Sequence, residues 1–245
     1  MSQKKNKIVD FGFKKIAVDE KDELVKNVFD KVANKYDVVN DISSFGLHRY
    51  WKDELICSLA PQKNQILGDL AGGTGDIAKR FLSNGGGRAD IIDVNLNMIQ
   101  SGINNNVNKN IRHLVGNCES IPVKNDTYDR VSIAFGLRNI TYREKALEEI
   151  YRVLKPGGRF VCLEFSYVDN KFLRRLYDAW SFNFLPLIGE FISDNRKAYQ
   201  YLVESIRMFP NQEQLSYLMV KNNFSRVKYQ NLSQGIVAIH SGWKF

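Results

Sequence analysis

The segment 69–75, Asp-Leu-Ala-Gly-Gly-Thr-Gly, constrains the fold of this 245-residue chain more than any other stretch. The apolar residues before it predict a short buried strand, and residues 76–81 after it predict the start of a helix. Glycine suits this turn, because the backbone must bend sharply and approach a ligand with no Cβ in the way. Asp93 ends the next apolar run, where a carboxylate can accept both hydroxyls of a ribose. The spacing therefore predicts a nucleoside-binding crevice in an α/β domain.

The glycine turn alone does not identify the nucleoside. Residues 73–78, Gly-Thr-Gly-Asp-Ile-Ala, also fit the dinucleotide fingerprint, and Asp93 lies at the spacing that this fingerprint expects. Asp69, however, suits the ammonium of an amino-acid ligand and would lie badly near a pyrophosphate. Residues 117–122 follow a third predicted strand, where they can contact an adenine, and residues 154–159, Leu-Lys-Pro-Gly-Gly-Arg, turn a helix into a strand. A methionine-bearing nucleoside explains these features together, so we expect S-adenosylmethionine rather than NAD.

Composition and charge narrow the class of protein. A hydrophobic content of 44% and a charged content of 25% are typical of a globular domain. The net charge of +8 favours an anionic partner, either a membrane surface or nucleic acid. The three cysteines are too far apart for a disulfide framework, and the chain has no secretory signal and no run as long as a membrane span, which together predict a cytoplasmic protein. The three histidines are not spaced for a metal site, so we predict no metal.

The pattern along the chain predicts a single domain over 21–245 after a loosely ordered tail over 1–20. Strands alternate with helices over 65–165, which predicts a doubly wound, mostly parallel sheet that forms the cofactor-binding core. The predicted strands cover 65–70, 89–93, 111–115, 128–135, 159–165, 225–231 and 235–241, the last two as an antiparallel pair. The predicted helices cover 22–36, 48–59, 95–103, 144–154, 196–206 and 211–222.

Five short segments form a set that is more specific than the glycine turn. They are 35–41 (Lys-Tyr-Asp-Val-Val-Asn-Asp), 44–48 (Ser-Phe-Gly-Leu-His), 69–76 (the glycine turn with Asp76), 135–139 (Phe-Gly-Leu-Arg-Asn) and 204–208 (Glu-Ser-Ile-Arg-Met). Together they resemble the ubiquinone/menaquinone biosynthesis C-methyltransferases (the UbiE/MenG family), from about residue 25 to Phe245. The resemblance implies a Rossmann-like class I methyltransferase: a seven-stranded, mostly parallel sheet with an antiparallel final strand, a helical N-terminal extension and a helical substrate cap over 168–222.

The resemblance also implies a reaction. This is methylation of a ring carbon on a polyprenylated quinol, either 2-methoxy-6-polyprenyl-1,4-benzoquinol or demethylmenaquinol, or both. Family positions that contact S-adenosylmethionine match Thr74, Asp93, Asn117 and Cys118, and the glycine turn itself adds Asp69, Gly73 and Gly75 to the predicted cofactor-binding residues. The chain departs from the family at Ala134, where many relatives carry Ser, and at Cys118, where many carry Ala. The first change removes a hydroxyl contact to the cofactor, and the second exchanges one small residue for another.

Two residues after the fourth predicted strand of the core are the catalytic candidates. A ring carbon is a poor nucleophile unless the neighbouring hydroxyl is deprotonated, so the enzyme must favour the phenolate. Arg138 is placed for this task, because ligands of an open sheet gather at the carboxyl ends of strands. Since a guanidinium stays protonated, we expect Arg138 to stabilise the oxyanion or to orient a water that takes the proton; the alternative is a surface ion pair with Glu144. Asn139 is predicted to donate to a quinol oxygen, or otherwise to cap the helix that follows.

The predicted substrate contacts are Tyr36, Phe135 and Arg138. Tyr36 belongs to the N-terminal segment that could fold over the cofactor, although packing explains it equally well. The aromatic stretch 172–192 suits a prenyl tail, or packs onto the sheet as a cap. A lipidic substrate and a positive charge predict peripheral docking at the anionic surface of the inner membrane. Other enzymes of quinone synthesis and a second copy of the chain, as a homodimer, are further candidate partners.

Two other functions fit part of the pattern. A methyltransferase acting on RNA would fit the positive charge, but the chain has no appended RNA-binding module. Residues 134–137, Ala-Phe-Gly-Leu, also lack the Pro-Pro-aromatic motif used on exocyclic base nitrogens, so we predict no nucleic-acid partner. A non-catalytic methyltransferase-like member of a quinone-synthesis complex would not need an intact glycine turn or Asp93.

Overall fold

The computed structural model describes residues 8–32, 41, 44–104, 108–187, 190 and 196–245, with residues 22 and 29–32 described by their backbone alone. Two short strands, β1 (Ile8–Phe11) and β2 (Lys14–Ala17), form an antiparallel hairpin, and the first helix, α1 (Val18–Val32), follows directly. The predicted loose tail over 1–20 is therefore wrong for residues 8–20, and α1 begins at Val18 instead of 22. Phe11 of β1 stacks on the distant Tyr201, and this packing supports the short hairpin.

Seven strands form the central sheet, in the spatial order β5-β4-β3-β6-β7-β9-β8. Their bounds are β3 (Ile66–Leu70), β4 (Arg88–Asp93), β5 (Ile111–Val115), β6 (Tyr128–Ala134), β7 (Leu154–Phe165), β8 (Ser225–Leu232) and β9 (Val237–Trp243). Only β9 runs against its neighbours, since it pairs antiparallel with both β7 and β8. The predicted mostly parallel sheet with an antiparallel final strand is confirmed.

Helices cover both faces of the sheet. Their bounds are α2 (Leu47–Leu59), α3 (Asp76–Ser83), α4 (Leu96–Asn104), α5 (Arg143–Val153), α6 (Lys171–Ala179), α7 (Arg196–Arg207) and α8 (Gln212–Lys221). A π-helical turn, Trp180–Phe184, continues α6, and a 3₁₀ turn, Leu137–Asn139, follows β6. The largest difference from the predicted strand bounds is β7, because Leu154 already pairs with Tyr128 before a bulge restores the register at Arg159.

Two hydrophobic cores hold these layers together. On one face of the sheet, Trp51 and Leu55 of α2 pack with Phe81 of α3 against strand residues such as Ile91 and Val161. The other face carries the core of α5 and α8, which includes Leu147, Ile150, Tyr128, Phe160, Met219 and Phe224. Strands that are buried on both faces explain why β3, β4, β6 and β7 are nearly continuous apolar runs.

The strand order reverses direction beside β3. From β3 the chain proceeds through β4 and β5 on one side and then returns to β6 on the other. In open α/β sheets, ligands bind outside the carboxyl ends of the strands at such a switch point. Asp69, at the end of β3, lies beside Ser132 of β6 in the sheet register. The fold thus places the glycine turn at the edge where a ligand is expected.

The segment between β7 and β8 is helical in its described residues. Asn170 caps α6 by accepting hydrogen bonds from the backbone N–H groups of Phe172 and Leu173, and no residue within α6 is fully buried. In contrast, α8 begins with a capping box formed by Asn211 and Gln214 and packs into the core. A role for 168–222 as a substrate cap stays a prediction.

Candidate active site

A cavity of about 420 Å³ lies at the carboxyl ends of β3, β4 and β6. This volume is within the range of small-molecule sites, roughly 300–1,000 Å³. The predicted site residues that line it are Asp69, Gly73, Thr74, Asp93, Asn117, Cys118, Phe135 and Asn139. Gly75 and Arg138 are not among the lining residues, and Tyr36 lies outside the described residues. The structure therefore brings together most of the residues that the sequence singled out.

The glycine turn needs glycine at two positions for identifiable reasons. Gly73 has a φ of +54°, and its backbone N–H donates to Oδ2 of Asp93 at 2.9 Å. Gly75 has a φ of +81° and precedes α3, and a Cβ at this position would overlap the side chain of Ile91. Both positions lie in the left-handed region that favours glycine. The turn can therefore hold α3 close to β4 and connect itself to Asp93.

Asp93 is fixed by backbone donors on both carboxylate oxygens. Its Oδ1 accepts from the N–H of Asn95 at 2.8 Å, and its Oδ2 accepts from Gly73. Burial raises the pKa of Asp93, although these backbone hydrogen bonds oppose the shift. Each carboxylate oxygen retains a second lone pair, so both can accept another hydrogen bond. A pre-oriented carboxylate of this kind can receive the two hydroxyls of a ribose.

Asp69 is buried and only half satisfied. Its Oδ1 accepts from the Ser132 hydroxyl at 2.8 Å, whereas its Oδ2 has no hydrogen-bond partner among the described residues. Burial raises the pKa of Asp69 to about 7, against the opposing hydrogen bond from Ser132. Buried polar atoms in native proteins are nearly always paired, so an unpaired acceptor on a cavity wall is a place for a ligand donor. An ammonium group would meet this need.

Asn117 and Cys118 follow β5 and present different surfaces. The side-chain oxygen of Asn117 accepts from the N–H of Glu119 at 2.8 Å, which leaves its amide NH₂ available. Burial raises the pKa of Cys118 to about 12, so this side chain is a neutral thiol at physiological pH. A small apolar side chain beside a polar amide can accommodate the edge and face of an adenine.

Lys52 is a cavity residue that the sequence reasoning missed. It lies on α2, is 5% exposed, and donates to Oδ2 of Asp76 at 2.7 Å. Burial alone would raise the pKa of Asp76, but the charges of Lys52 and Arg80 outweigh burial and lower it. One signal could have revealed Lys52, because it shares the apolar face of α2 with Leu55, three residues later.

Arg138 occupies a buried ion pair. Its Nη1 donates to Oε1 of Glu164 at 2.7 Å and to the carbonyl of Phe135 at 2.5 Å, and the guanidinium lies 5.5 Å from the ring centre of Phe165. The suggested surface pair with Glu144 is wrong, because Glu144 pairs with Lys221 at 3.0 Å. Nε of Arg138 is buried with no hydrogen-bond partner among the described residues. The catalytic role of Arg138 stays a prediction.

Asn139 lines the cavity and is held by a residue from a distant helix. Its Oδ1 accepts from the Tyr201 hydroxyl of α7 at 3.0 Å. The suggested role as a helix cap is wrong, because the N-cap position of α5 is Tyr142. Since the oxygen of Asn139 is occupied, its NH₂ group is left to donate elsewhere. Burial raises the pKa of Tyr201 to about 12, so the Tyr201 hydroxyl remains a donor.

Phe135 forms an aromatic wall beside these groups. Its ring centre lies 5.0 Å from that of Phe165 and 6.2 Å from that of Trp51. The backbone of Phe135 has a φ of +57°, a conformation that is uncommon for a residue with a side chain. Strained backbone often accompanies a functional site, and here it aims the chain from β6 into the 3₁₀ turn that carries Arg138 and Asn139.

Comparisons with known proteins agree with this geometry. The model of the ubiE/COQ5 methyltransferase family matches residues 17–244. A ubiquinone/menaquinone biosynthesis C-methyltransferase UbiE from Hydrogenovibrio crunogenus is 46% identical, over 98% of this chain and 96% of that protein. The mitochondrial 2-methoxy-6-polyprenyl-1,4-benzoquinol methylase of Dictyostelium discoideum is 43% identical, over 98% of this chain and 87% of that protein.

Solved structures share the fold at low identity. A SAM-dependent methyltransferase from Thermotoga maritima has a TM-score of 0.62 at 19% identity, over 89% of this chain and 99% of that one. Phosphoethanolamine N-methyltransferase 2 of Haemonchus contortus, solved with S-adenosyl-L-methionine, has a TM-score of 0.58 at 15% identity, over 79% of this chain and 52% of that one. The predicted Rossmann-like methyltransferase fold is confirmed.

Proposed function

Because this chain belongs to the ubiE/COQ5 methyltransferase family, we propose that it transfers a methyl group from S-adenosylmethionine to a ring carbon of a polyprenylated quinol. The substrate is 2-methoxy-6-polyprenyl-1,4-benzoquinol, demethylmenaquinol, or both. The names of two relatives support this choice: one is a ubiquinone/menaquinone biosynthesis C-methyltransferase, and the other is a 2-methoxy-6-polyprenyl-1,4-benzoquinol methylase. The observation that carries the cofactor assignment is the unpaired, buried Oδ2 of Asp69 on the wall of a cavity built around a glycine turn.

The lining residues fit this cofactor. Asp93 would accept the ribose hydroxyls, and Asp69 would accept the ammonium group. The amide of Asn117 and the neutral surface of Cys118 would receive the adenine. When bound, S-adenosylmethionine supplies an activated methyl group. The glycine turn lets the backbone approach the ligand closely, and Ala134 also lines the cavity.

The protein's part in the reaction is to orient the quinol and to stabilise the negative charge on its oxygen. Asn139 would donate its NH₂ group to a quinol oxygen, with Tyr201 holding the amide in position. Arg138, immediately before Asn139, would stabilise the oxyanion directly or through a water. Its ion pair with Glu164 keeps the guanidinium in one orientation. The aromatic wall of Phe135 excludes water from the reacting atoms.

A cluster of exposed apolar side chains supports a membrane-docking role. We define this aromatic surface by six residues: Phe13, Phe45, Phe172, Leu176, Phe182 and Phe184. Ring contacts join some of its members, since Phe13 lies 6.3 Å from Phe182, and Trp180 lies 4.8 Å from Phe45 and 5.5 Å from Phe184. Phe172 and Leu176 lie one helical turn apart on α6. Exposed basic residues are adjacent in sequence to three of its members: Lys14 to Phe13, Lys171 to Phe172 and Arg175 to Leu176, whereas the nearby Lys15 is paired with Asp10.

Aromatic side chains flanked by positive charge suit the surface of an anionic bilayer. Among the described residues, no helix combines the length and the apolar character needed to cross a membrane. We therefore propose peripheral docking of a cytoplasmic protein at the inner membrane, where the prenyl tail resides. A second copy of the chain and other enzymes of quinone synthesis are proposed as further partners.

A methyl-transfer assay tests the function. The protein is incubated with tritiated S-adenosylmethionine and either a short-chain benzoquinol, a short-chain demethylmenaquinol or RNA. Label should appear in a quinol and not in RNA, and the Asp93→Ala variant should lose the transfer. Label in RNA would favour the nucleic-acid alternative. Absence of cofactor binding in calorimetry would favour a non-catalytic role within a quinone-synthesis complex.

A further inference from the structure

Lys52 is a buried lysine on the wall of the cofactor cavity. It shares the buried face of α2 with Leu55, Ile56 and Leu59, where an apolar residue is expected. Lysine is almost never fully buried unless it is paired. Among the described residues, the ammonium of Lys52 has a single hydrogen-bond partner, Asp76, although it carries three donors. Two of the three N–H donors of the Lys52 ammonium therefore have no acceptor among the described residues.

Asp76 does not by itself explain the burial of Lys52. Its Oδ1 already accepts from Nε of Arg80 at 2.9 Å, on the same helix. Arg80 pairs in turn with Asp53, which is largely exposed. The carboxylate of Asp76 is thus shared between Arg80 and Lys52, and Lys52 lines the cavity.

The other charged groups of the cavity make Lys52 distinctive. Five other lining residues are acidic, Glu23, Asp69, Asp76, Asp93 and Glu119, and the remaining basic one, Lys26, is an exposed residue of α1. Among the described lining residues, Lys52 is the one buried cation. A ligand carboxylate that enters this acidic cavity has a favourable partner at Lys52 and is repelled by the acidic side chains.

Asp69 and Lys52 lie at opposite ends of the glycine turn. Asp69 ends β3 before the turn, and Lys52 contacts Asp76, the first residue of α3 after the turn. Asp69, Asp76 and Lys52 all line the same cavity, so both ends of the turn can contact one ligand. The glycine turn therefore lies between the unpaired Oδ2 of Asp69 and the ammonium of Lys52, which has two unpaired donors among the described residues.

We propose that Lys52 binds the carboxylate of the cofactor's amino-acid end while Asp69 binds its ammonium group, so that the site recognises an intact α-amino-acid zwitterion. The proposal rests on the proposed function, because it takes S-adenosylmethionine as the ligand. The start of α3 adds to the attraction, since a helix N-terminus favours negative charge. The competing explanation is that Lys52 only braces the glycine turn through Asp76.

Three ligands that differ only in the amino-acid end separate these explanations. S-adenosylhomocysteine carries both charged groups, 5′-(3-aminopropylthio)-5′-deoxyadenosine keeps the amine without the carboxylate, and 5′-methylthioadenosine has neither. Calorimetry on the full chain gives a dissociation constant for each. Lys52→Met should weaken S-adenosylhomocysteine roughly 10- to 100-fold, the loss of a charge-assisted hydrogen bond, and leave the other two within about twofold. Equal weakening of all three ligands, or unchanged affinity for S-adenosylhomocysteine, overturns the proposal.

A second variant and a matched control complete the design. Lys52→Gln keeps a donor for Asp76 and a similar volume. If the Met variant does not fold, this variant tests whether affinity for S-adenosylhomocysteine falls relative to the other two ligands. Lys79→Met removes one positive charge from α3 at a position that does not line the cavity, and it should leave all three affinities unchanged. If the wild-type protein binds none of the ligands, the proposed function fails. If wild type prefers S-adenosylhomocysteine but both Lys52 variants keep that preference, only the role of Lys52 fails.

Discussion

At the scale of single residues, the two aspartates proposed to bind the cofactor differ in their hydrogen-bond partners. Asp93 accepts a backbone N–H on each oxygen, and this fixes a carboxylate that can receive neutral hydroxyls. Asp69 accepts one hydroxyl from Ser132 and leaves its other oxygen unpaired in a buried position. A buried and poorly solvated carboxylate favours a cationic partner, because an opposite charge restores the stability of its ionised form.

The first prediction is that S-adenosylhomocysteine binding depends on pH through Asp69. Burial raises the pKa of Asp69 in the free site to about 7, and the ammonium group of the ligand favours the ionised carboxylate. Affinity should therefore be constant above pH 7 and fall below it, approaching tenfold per pH unit. Calorimetry between pH 5.5 and 8 measures how affinity changes with pH. Binding below pH 7 should release a proton, because Asp69 ionises when the ligand binds. Asp69→Asn should flatten the profile, and 5′-methylthioadenosine serves as the control; the same slope for both ligands would exclude Asp69 as its origin.

The second prediction concerns Arg138. Arg138→Ala should lower turnover of the quinol roughly 10²- to 10³-fold, the usual cost of losing an oxyanion-stabilising donor, and change affinity for S-adenosylhomocysteine by less than about threefold. The same change strands the buried carboxylate of Glu164, at a cost of about 3 kcal/mol in the free energy of unfolding. Adding Glu164→Gln should restore most of the stability. Steady-state kinetics and thermal unfolding measure both effects, and recovery of turnover along with stability would reduce Arg138 to a structural role.

The residues that sequence reasoning found and missed differ in how far apart their partners lie. Asp69, Asp93 and the glycines belong to one local strand-turn-helix-strand pattern, so spacing along the sequence predicted them. The contacts of Lys52 with Asp76 and of Tyr201 with Asn139 join positions 24 and 62 apart, and only the folded chain brings them together. Such pairs need knowledge of packing, although a lysine on an apolar helix face is a local hint.

At the scale of elements, the central strands were predicted within a few residues because their apolar runs and flanking turns are distinct. The β1–β2 hairpin was not, because its two strands have four residues each and are too short to be stable alone. Its support comes from α7: Phe11 stacks on Tyr201 with ring centres 4.1 Å apart, and the N–H of Phe13 donates to Glu204, 191 positions away. Since Tyr201 also holds Asn139, the hairpin braces one side of the active site.

The third prediction follows from that brace. Phe11→Ala removes the stack on Tyr201. The free energy needed to open the hairpin locally should fall by about 1 kcal/mol, so the hairpin should detach more often. Hydrogen exchange measured by mass spectrometry should accelerate over 8–17 and leave the central strands unchanged. Turnover of the quinol should fall several-fold while affinity for S-adenosylhomocysteine stays the same. Val9→Ala, in the same hairpin, is the control, and equal acceleration in both variants would show that the stack contributes nothing specific.

At the scale of the whole molecule, none of the six residues that define the aromatic surface lines the cavity. The cavity lies at the edge of a sheet that is packed on both faces, whereas the aromatic surface belongs to the hairpin turn, residue 45 and the segment from α6 onwards. The net charge of +8 predicted an anionic partner but not its place, because charge is a property of the whole sequence. The fold adds that Phe13, Phe172 and Leu176 are exposed together with the basic residues next to them in the sequence.

The fourth prediction is that the protein binds anionic vesicles through the aromatic surface. Phe172 is 72% exposed, and Leu176 lies one helical turn further along α6, so both can enter the interfacial region of a bilayer. Sedimentation with vesicles of phosphatidylcholine and phosphatidylglycerol should show binding that weakens with salt and is small for phosphatidylcholine alone. The double change Phe172→Ser with Leu176→Ser should reduce the partition coefficient by at least about tenfold, because two apolar side chains no longer leave water.

A matched pair of exposed apolar residues makes this test specific. Tyr217 and Val220 are exposed on α8, away from the aromatic surface, and changing both to Ser removes a similar apolar area without touching α6. This control should bind vesicles as the wild type does. An equal loss in the two double variants would assign binding to general hydrophobicity and not to the aromatic surface. The α6 variant should turn over a short-chain quinol at the wild-type rate but a long-chain quinol in vesicles more slowly, because only the long prenyl tail must leave the bilayer. This outcome would show that the aromatic surface helps the substrate reach the cavity and takes no part in methyl transfer.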